Sequence, residues 1–93
     1  MAYEIKWTPI SKDNYHEIVS YLYDELGLNA AEKFTKELQD RLKKLERFPY
    51  IGKQHLTLSS VRKLIISKNQ VLFYTIIDKT VIVLNVIDSR TLK

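Results

Sequence analysis

The last third of the chain constrains the fold most, because it contains three short apolar segments separated by minimal turns. Residues 61–66, 70–77 and 81–87 are rich in the β-branched and aromatic residues that favour strands. Asn69 lies in the first turn and Asp78 opens the second, and both residue types tolerate tight turns. The pattern predicts three antiparallel strands joined as a meander.

Two amphipathic helices are predicted before the meander. The first spans residues 12–26 with Ser11 as its N-cap, and Gly27 ends it. The second spans residues 30–48 with Asn29 as its N-cap. Because the connection between them is short, we expect an antiparallel helical hairpin. Their apolar stripes comprise Tyr15, Ile18, Val19, Leu22 and Leu26 in the first helix, and Ala31, Phe34, Leu38, Leu42, Leu45 and Phe48 in the second.

A half-buried strand is predicted at the N-terminus, where Tyr3, Ile5 and Trp7 alternate with polar residues before Pro9. The predicted fold class is therefore α+β: an N-terminal strand, an antiparallel helical hairpin and a three-stranded antiparallel meander. We expect residues 1–93 to form one domain. The charged residues of the second helix, such as Lys33, Glu37 and Arg41, recur every four positions and predict a solvated face.

Both faces of the last strand are apolar. Ile82, Leu84 and Val86 share one face, which we assign to the helical hairpin, and the other face carries Val81, Val83, Asn85 and Ile87. An antiparallel sheet normally has a more polar outer face. We hypothesise that another polypeptide, or a second copy of this chain, covers that face. The alternative is that the N-terminal strand or the loop at 50–60 folds over it.

Charge is distributed unevenly along the chain. Residues 1–49 contain eight Lys/Arg and nine Asp/Glu, a net charge of −1, whereas residues 50–93 contain seven and two, a net charge of +5; the sum is +4. The basic half favours an acidic partner, either nucleic acid or an acidic polypeptide. Ordinary surface solvation is the alternative.

Several classes of function are disfavoured by the composition. The chain has no cysteine, which excludes disulfides and thiolate metal sites. It has no glycine-rich phosphate loop and no metal-ligand spacing, so we expect no cofactor and no metal. No leader-like segment and no apolar run of membrane-spanning length is visible, so we expect a cytoplasmic protein without a membrane partner.

The basic residues of the strand half are the strongest functional candidates. A guanidinium such as that of Arg62 can hold phosphate or carboxylate in a forked geometry. Its alternative role is a structural ion pair with Asp88. Arg90 has the same strand parity as Asp88, so we expect both side chains on one side. The cations expected to meet a partner are Lys53, Arg62, Lys63, Lys68 and Arg90.

The order of elements and the spacing of their residues resemble the RelE/ParE superfamily of bacterial toxins from type II toxin–antitoxin modules. The resemblance covers residues 2–90. It is carried by Leu45-x-x-x-Pro49-x-x-Gly52, Val61-Arg62, Val71-Leu72-Phe73-Tyr74, Val81-Ile82-Val83-Leu84-x-Val86 and Arg90. It implies a toxin neutralised by the acidic C-terminal segment of a cognate antitoxin in a hetero-oligomer. The implied target- and antitoxin-binding residues are Arg62, Lys63, Asn85, Ile87, Asp88 and Arg90.

The superfamily has two branches with different targets. The RelE branch cleaves messenger RNA on the ribosome, and here Arg62, Arg90 and His55 would be the catalytic candidates. The middle strand has Val71 and its neighbours where that branch tends to place an arginine, and no Tyr or His follows Arg90. RNA cleavage requires an acid and a base besides cations, and the sequence offers no convincing pair.

The ParE branch binds DNA gyrase and is not a nuclease. The segment before Arg90 departs from that branch too, because Asp88 stands where a histidine is frequent. We nevertheless interpret the chain as a ParE-like toxin that inhibits an essential target, such as gyrase, without catalysis. The alternatives are a RelE-type messenger RNA endoribonuclease and a degenerate, non-toxic protein that only binds its antitoxin.

Overall fold

A five-stranded sheet carries two helices on one of its faces in the computed structural model, which describes residues 2–91. The elements in chain order are β1 (Glu4–Trp7), α1 (Pro9–Leu26), α2 (Leu28–Arg47), β2 (Lys53–Gln54), β3 (Val61–Ile65), β4 (Gln70–Ile77) and β5 (Thr80–Asp88). The predicted α+β class, with an N-terminal strand, a helical hairpin and an antiparallel meander, is confirmed.

The strands lie in the spatial order β1-β5-β4-β3-β2. The meander β3–β4–β5 is antiparallel, and β1 pairs in parallel with β5, so that Glu4 lies opposite Thr80 and Trp7 opposite Val83. The hairpin of α1 and α2 connects β1 to the far side of the sheet. The edge strand β2 has only two residues, which is too short to produce a recognisable alternation in the sequence.

Helix α1 begins three residues earlier than predicted. Thr8 is its N-cap, with Oγ1 accepting a hydrogen bond from the Ser11 backbone N–H at 3.1 Å. Pro9 occupies the first helical position, where a missing N–H costs nothing. Ser11, the predicted cap, is fully buried and donates its hydroxyl to the Thr8 carbonyl. That prediction was wrong because Pro9 starts the helix as well as ending the strand.

The connection between the helices is a single residue. Gly27 caps the C-terminus of α1 and the N-terminus of α2 at φ 94°, a left-handed conformation that favours glycine. Helix α2 has no side-chain cap, so the predicted cap at Asn29 is wrong. Leu26 and Phe48 lie at helix ends and are exposed, in contrast to the predicted stripes.

The core lies between the helices and the inner face of the sheet. Its buried apolar side chains are Ile18, Leu22, Ala31, Phe34, Leu38, Leu45, Ile66, Leu72, Tyr74, Val81, Val83 and Val86. Tyr3, Ile5 and Trp7 of the N-terminal segment pack against this cluster, as predicted. Burial of such side chains is the main source of stability in a domain of this size.

A β-bulge in β5 reverses the alternation of its side chains. Phe73 of β4 lies opposite Asn85 and Tyr74 lies opposite Val83, so Leu84 is the extra residue. Before the bulge, Val81 and Val83 point into the core; after it, Val86 and Asp88 do. The predicted assignment of the faces was therefore wrong for every residue up to Leu84, although Val86 is buried as expected.

The opposite face of the sheet has no helix over it in the described part of the chain. We call it the open face; strand register places Val61, Lys63, Ile65, Val71, Phe73, Thr75, Ile77, Ile82, Asn85 and Ile87 on this side. Ile65 and Ile77 are 63% and 55% exposed. An apolar open face was predicted; Asn85 and Ile87 lie on it as predicted, whereas Ile82 takes the place of Val81 and Val83. The 50–60 loop covers part of this face near β2: the ring of His55 approaches Phe73, and the Ser60 carbonyl accepts a hydrogen bond from Thr75 Oγ1 at 2.6 Å.

The bulge makes a direct prediction about stability. Val83→Ala should lower the free energy of unfolding by about 1.5–3 kcal/mol, because Val83 is fully buried. Leu84→Ala removes more carbon atoms but should cost less, because Leu84 is only half-buried. Urea unfolding of both variants measures the order. A larger loss for Leu84→Ala would contradict the bulge.

Candidate functional site

The C-terminal end of β5 carries a fully buried carboxylate. Asp88 Oδ1 accepts hydrogen bonds from the Arg90 backbone N–H at 2.8 Å and from Arg90 Nε at 3.1 Å. Oδ2 accepts from Arg90 Nη2 and from Gln70 Nε2, each at 2.8 Å. Gln70 lies opposite Asp88 in the β4–β5 pair. We call this arrangement the Asp88 clamp. It confirms that Asp88 and Arg90 point to the same side.

The clamp stabilises both charges. Burial alone would raise the pKa of Asp88, but the hydrogen bonds from Arg90 and Gln70 outweigh it and hold that pKa below its ordinary value. The hydrogen bond to Asp88 in turn raises the pKa of Arg90. The guanidinium also lies near the Tyr21 ring, 5.9 Å from its centroid. Arg90 is therefore a permanently charged group with a restricted position.

Arg90 lines a groove between the helical hairpin and the β3–β4 turn. The groove has a volume of about 620 Å³, and its charged lining consists of Lys33, Glu37, Arg41, Lys68 and Arg90. We call it the basic groove. Arg41 donates to the carbonyl oxygens of Ile65 and Ile66 at 3.2 and 3.1 Å, which ties α2 to the end of β3.

The contribution of α2 to this groove was missed by the sequence analysis. Lys33 and Arg41 were predicted to lie on a solvated face and to pair with Glu37. The salt bridges among residues 2–91 are Lys6–Glu4 and Arg90–Asp88, so those helical pairs do not form. The sequence shows only that Lys33, Glu37 and Arg41 are spaced four residues apart. Charged residues on the solvent-exposed face of an ordinary helix have the same spacing.

Arg62 lies elsewhere and has backbone partners. Its Nη1 donates to the carbonyl oxygens of Gly52 at 2.7 Å and Tyr50 at 3.2 Å, and its guanidinium lies 5.1 Å from the centre of the Tyr50 ring. The alternative of an ion pair with Asp88 is wrong. Arg62 lies opposite Tyr74, whereas Asp88 lies opposite Gln70, about 13 Å away along β4.

The loop that Arg62 contacts is also anchored by the buried side chain of Tyr74. Tyr74 Oη donates to the Pro49 carbonyl at 2.7 Å and accepts from the Gly52 N–H at 2.9 Å. A Cβ atom on Gly52 would lie 2.5 Å from that oxygen, so only glycine fits there. Burial raises the pKa of Tyr74 despite the opposing effects of Gly52 and Arg62. The phenol therefore stays protonated and donates.

The remaining predicted residues lie on the open face or at its edge. Lys63 lies on this face, opposite Lys53 on β2 and Phe73 on β4. The ring of His55 approaches Phe73, with 6.3 Å between their centroids. Ile87 lies opposite Val71. The structure thus brings Asp88 and Arg90 together, groups Lys63 with His55, and leaves Arg62 separate from both.

Asn85 has a structural contact with the first helix. Its Nδ2 donates to Asn14 Oδ1 at 3.2 Å, and the same oxygen accepts from the Val86 N–H at 3.1 Å. Asn14 therefore provides a hydrogen-bond acceptor for a backbone N–H of β5 that lies beyond the last residue pair between β1 and β5.

Within residues 2–91, acidic and histidine side chains nowhere form a group of three or more that could hold a metal ion. Neither helix of that range is long and apolar enough to cross a membrane.

The clamp predicts a pH-dependent contribution to stability. Asp88→Asn should lower the free energy of unfolding at pH 7 by about 1.5–3 kcal/mol, because it removes the charge that four donors face. Since the folded pKa of Asp88 is depressed, its contribution is complete above the unfolded pKa of about 4 and is lost as the pH falls through the folded value.

Urea unfolding of both proteins between pH 3 and pH 8 checks this. The difference in the free energy of unfolding between the unaltered chain and Asp88→Asn should be constant above about pH 5 and should become smaller below about pH 4. Asp78→Asn is the matched control, because Asp78 is an exposed turn residue at φ 54°, which asparagine tolerates. Equal losses in the two variants would contradict the role of the clamp.

Comparison with known proteins places this geometry in a family. The family model for the ParE toxin of the type II toxin–antitoxin system parDE matches residues 5–92. No curated protein matches the chain in sequence.

Solved structures show the same fold. The chromosomal ParDE system from P. aeruginosa has a TM-score of 0.78 at 17% identity, over 94% of this chain and 96% of that one. The RelBE toxin–antitoxin complex from Mycobacterium tuberculosis has a TM-score of 0.69 at 18% identity, over 95% and 99%. A free RelE variant from E. coli has a TM-score of 0.67 at 20% identity, over 96% and 85%. Because the family model spans nearly the whole chain, the chain belongs to the ParE family of toxins from type II toxin–antitoxin systems.

Proposed function

We propose that this toxin arrests growth by binding DNA gyrase, without catalysing a reaction itself. The proposal rests on one observation: the two arginines that could serve in catalysis are each held in a structural contact, and the two contacts lie in different parts of the sheet. Arg90 is bound to the buried Asp88 carboxylate, and Arg62 to backbone carbonyls of the 49–52 loop. A nuclease site requires cations, an acid and a base around one phosphate.

The basic groove is the surface that we assign to the target. Lys33, Lys68 and Arg90 place positive charge around this groove. Arg41 also lines the groove and ties α2 to the end of β3 through its hydrogen bond to the Ile65 carbonyl. Such a surface complements an acidic patch on a protein partner and raises the rate of encounter. The match to the ParE family model supports gyrase as that partner.

The open face is the surface that we assign to the antitoxin. Its centre is apolar and its β2 edge is basic, which suits an acidic segment that also carries apolar residues. Solved relatives are described as toxin–antitoxin complexes, including the YoeB–YefM complex from Staphylococcus aureus. We infer a hetero-oligomer of this chain with its cognate antitoxin in the cytoplasm.

The target is tested by inducing the chain alone in a bacterial cell and pulse-labelling new DNA and new protein within minutes. We expect DNA synthesis to fall first. Purified toxin should also inhibit supercoiling by purified gyrase. Lys33→Glu with Lys68→Glu should weaken that inhibition by about tenfold, because two favourable charges become unfavourable.

Lys43→Glu with Lys79→Glu is the matched control, since it makes the same charge change at exposed positions away from the groove. Early loss of protein synthesis with DNA synthesis intact would replace the proposal with the messenger RNA endoribonuclease. Growth without arrest, in cells that contain folded protein, would indicate a degenerate toxin.

The antitoxin surface is tested by Ile65→Glu and Ile77→Glu. Both residues are exposed on the open face, so the fold should be retained to within about 0.5 kcal/mol. Each should weaken binding of the cognate antitoxin about tenfold, because it removes apolar contact and repels an acidic segment. Ile10→Glu is the control, at an isoleucine of similar exposure on α1. Titration calorimetry with the antitoxin measures the effect, and equal affinities for all three variants would remove the open face from the interface.

A further inference from the structure

A cavity of about 410 Å³ opens where the edge strand β1 meets the helical hairpin. It has no lining residue in common with the basic groove, and none of its lining residues belongs to the open face. The cavity is therefore separate from both surfaces assigned above. Its lining residues are Trp7 at the end of β1, Lys12, Tyr15 and His16 of α1, and Thr35, Leu38, Gln39 and Leu42 of α2.

The aromatic side of the cavity is held in place by its own contacts. The rings of Trp7 and Tyr15 meet edge to face with 5.9 Å between their centroids, and Tyr15 stacks on Phe34 at the same distance. The hydroxyl groups of Tyr15 and Thr35 form a hydrogen bond of 3.0 Å between the two helices. Because these two polar groups satisfy each other, this side offers a ligand mainly apolar surface that is already formed.

The charged lining of the cavity has one sign. Lys12 and His16 are exposed and lie one turn apart on α1, so they share a face of that helix. The ring of His16 lies beside Tyr15, with 5.5 Å between the ring centroids. Among residues 2–91, the salt bridges involve neither Lys12 nor His16, and no Asp or Glu lines the cavity. An ammonium and an imidazole N–H can therefore both donate to an anion beside the aromatic rings.

We propose that this cavity binds a small aromatic carboxylate, with its ring against Trp7 and Tyr15 and its carboxylate at Lys12 and His16. Aromatic rings prefer edge-to-face and offset contacts with one another, and a third ring can extend the existing pair. One ammonium matches a monovalent carboxylate better than a phosphate monoester, which carries roughly two negative charges. The volume of the cavity lies within the ordinary range for small-molecule sites, roughly 300–1,000 Å³.

A carboxylate accounts for both parts of the lining, whereas a neutral aromatic side chain of a protein partner accounts only for the apolar part. This inference goes beyond the proposed gyrase binding and does not depend on it, because it concerns a cavity outside the basic groove. It is tested with the purified full chain, without gyrase or antitoxin, so that either proposal can fail alone.

Trp7 is the only tryptophan of the chain, so its fluorescence reports on this cavity directly. The experiment titrates the chain with 3-phenylpropionate and with its neutral analogue 3-phenylpropionamide. We expect the carboxylate to bind about tenfold more tightly, because it accepts charge-assisted hydrogen bonds. Lys12→Gln with His16→Gln should remove that preference and leave the affinity for the neutral analogue unchanged.

Two further variants complete the experiment. Lys43→Gln with His55→Gln is the matched control, since it makes the same two changes at positions that do not line the cavity. Leu42→Ala should weaken both ligands about threefold, because it removes apolar surface from the lining.

Loss of the preference in the variant of Lys12 and His16, with the preference kept in the control, would support the proposal. Absence of binding by either ligand at millimolar concentration would overturn it, as would equal affinities for the two ligands or equal effects of the control variant. Tighter binding of N-acetyl-phenylalanine amide would overturn it in favour of an aromatic side chain from a protein partner. If Leu42→Ala fails to fold, backbone chemical-shift changes in the unaltered chain decide: they must centre on Trp7, Tyr15 and Leu42.

Discussion

The pairing of β4 with β5 is the contact on which the rest of the structure depends. Its bulge at Leu84 sets which side chains of β5 enter the core: Val81 and Val83 before it, Val86 and Asp88 after it. Without the extra residue, the alternation would place Asp88 on the open face. The carboxylate would then face solvent, and the Asp88 clamp could not form with Gln70.

The same region decides how the helices attach to the sheet. Strand β1 ends opposite Val83, just before the bulge, and Thr8 donates from its backbone N–H and its hydroxyl to the Val83 carbonyl at 3.2 and 3.0 Å. Asn14 then accepts from the Val86 N–H. Helix α1 therefore takes over the hydrogen bonding of β5 where β1 stops, which leaves few unsatisfied backbone groups at a buried edge. In this way the bulge, the helix cap and the clamp form one connected system.

Much of the fold was predictable from the sequence, because its periodicities are strong. The meander was found from three apolar segments with turn residues between them, and the hairpin from stripes such as Ile18–Leu22 and Phe34–Leu38. The bulge was not predictable, because nothing in the alternation of residues 81–87 is interrupted at Leu84. The start of α1 was missed because Pro9 suits both a strand end and a first helical turn.

The candidate site was predictable only in its local part. The pairing of Asp88 with Arg90 follows from a spacing of two residues, which the sequence displays. The carbonyl partners of Arg62 and Arg41 belong to segments 10 to 25 residues away, and backbone acceptors leave no trace in residue type. The row of Lys53, Lys63 and Phe73 depends on strand register across β2, an element too short to recognise.

The adjacency of β1 and β5 has a consequence for biosynthesis. The first strand of the chain completes its pairing only with the last, across a separation of about 75 residues. A nascent chain that has not yet reached residue 80 has no partner for β1 and lacks the side chains that fill one side of the core. Such non-local pairing also folds more slowly than local contacts do. Synthesis must therefore pass Asp88, the last residue of β5, before β1 can complete its pairing and the core can close.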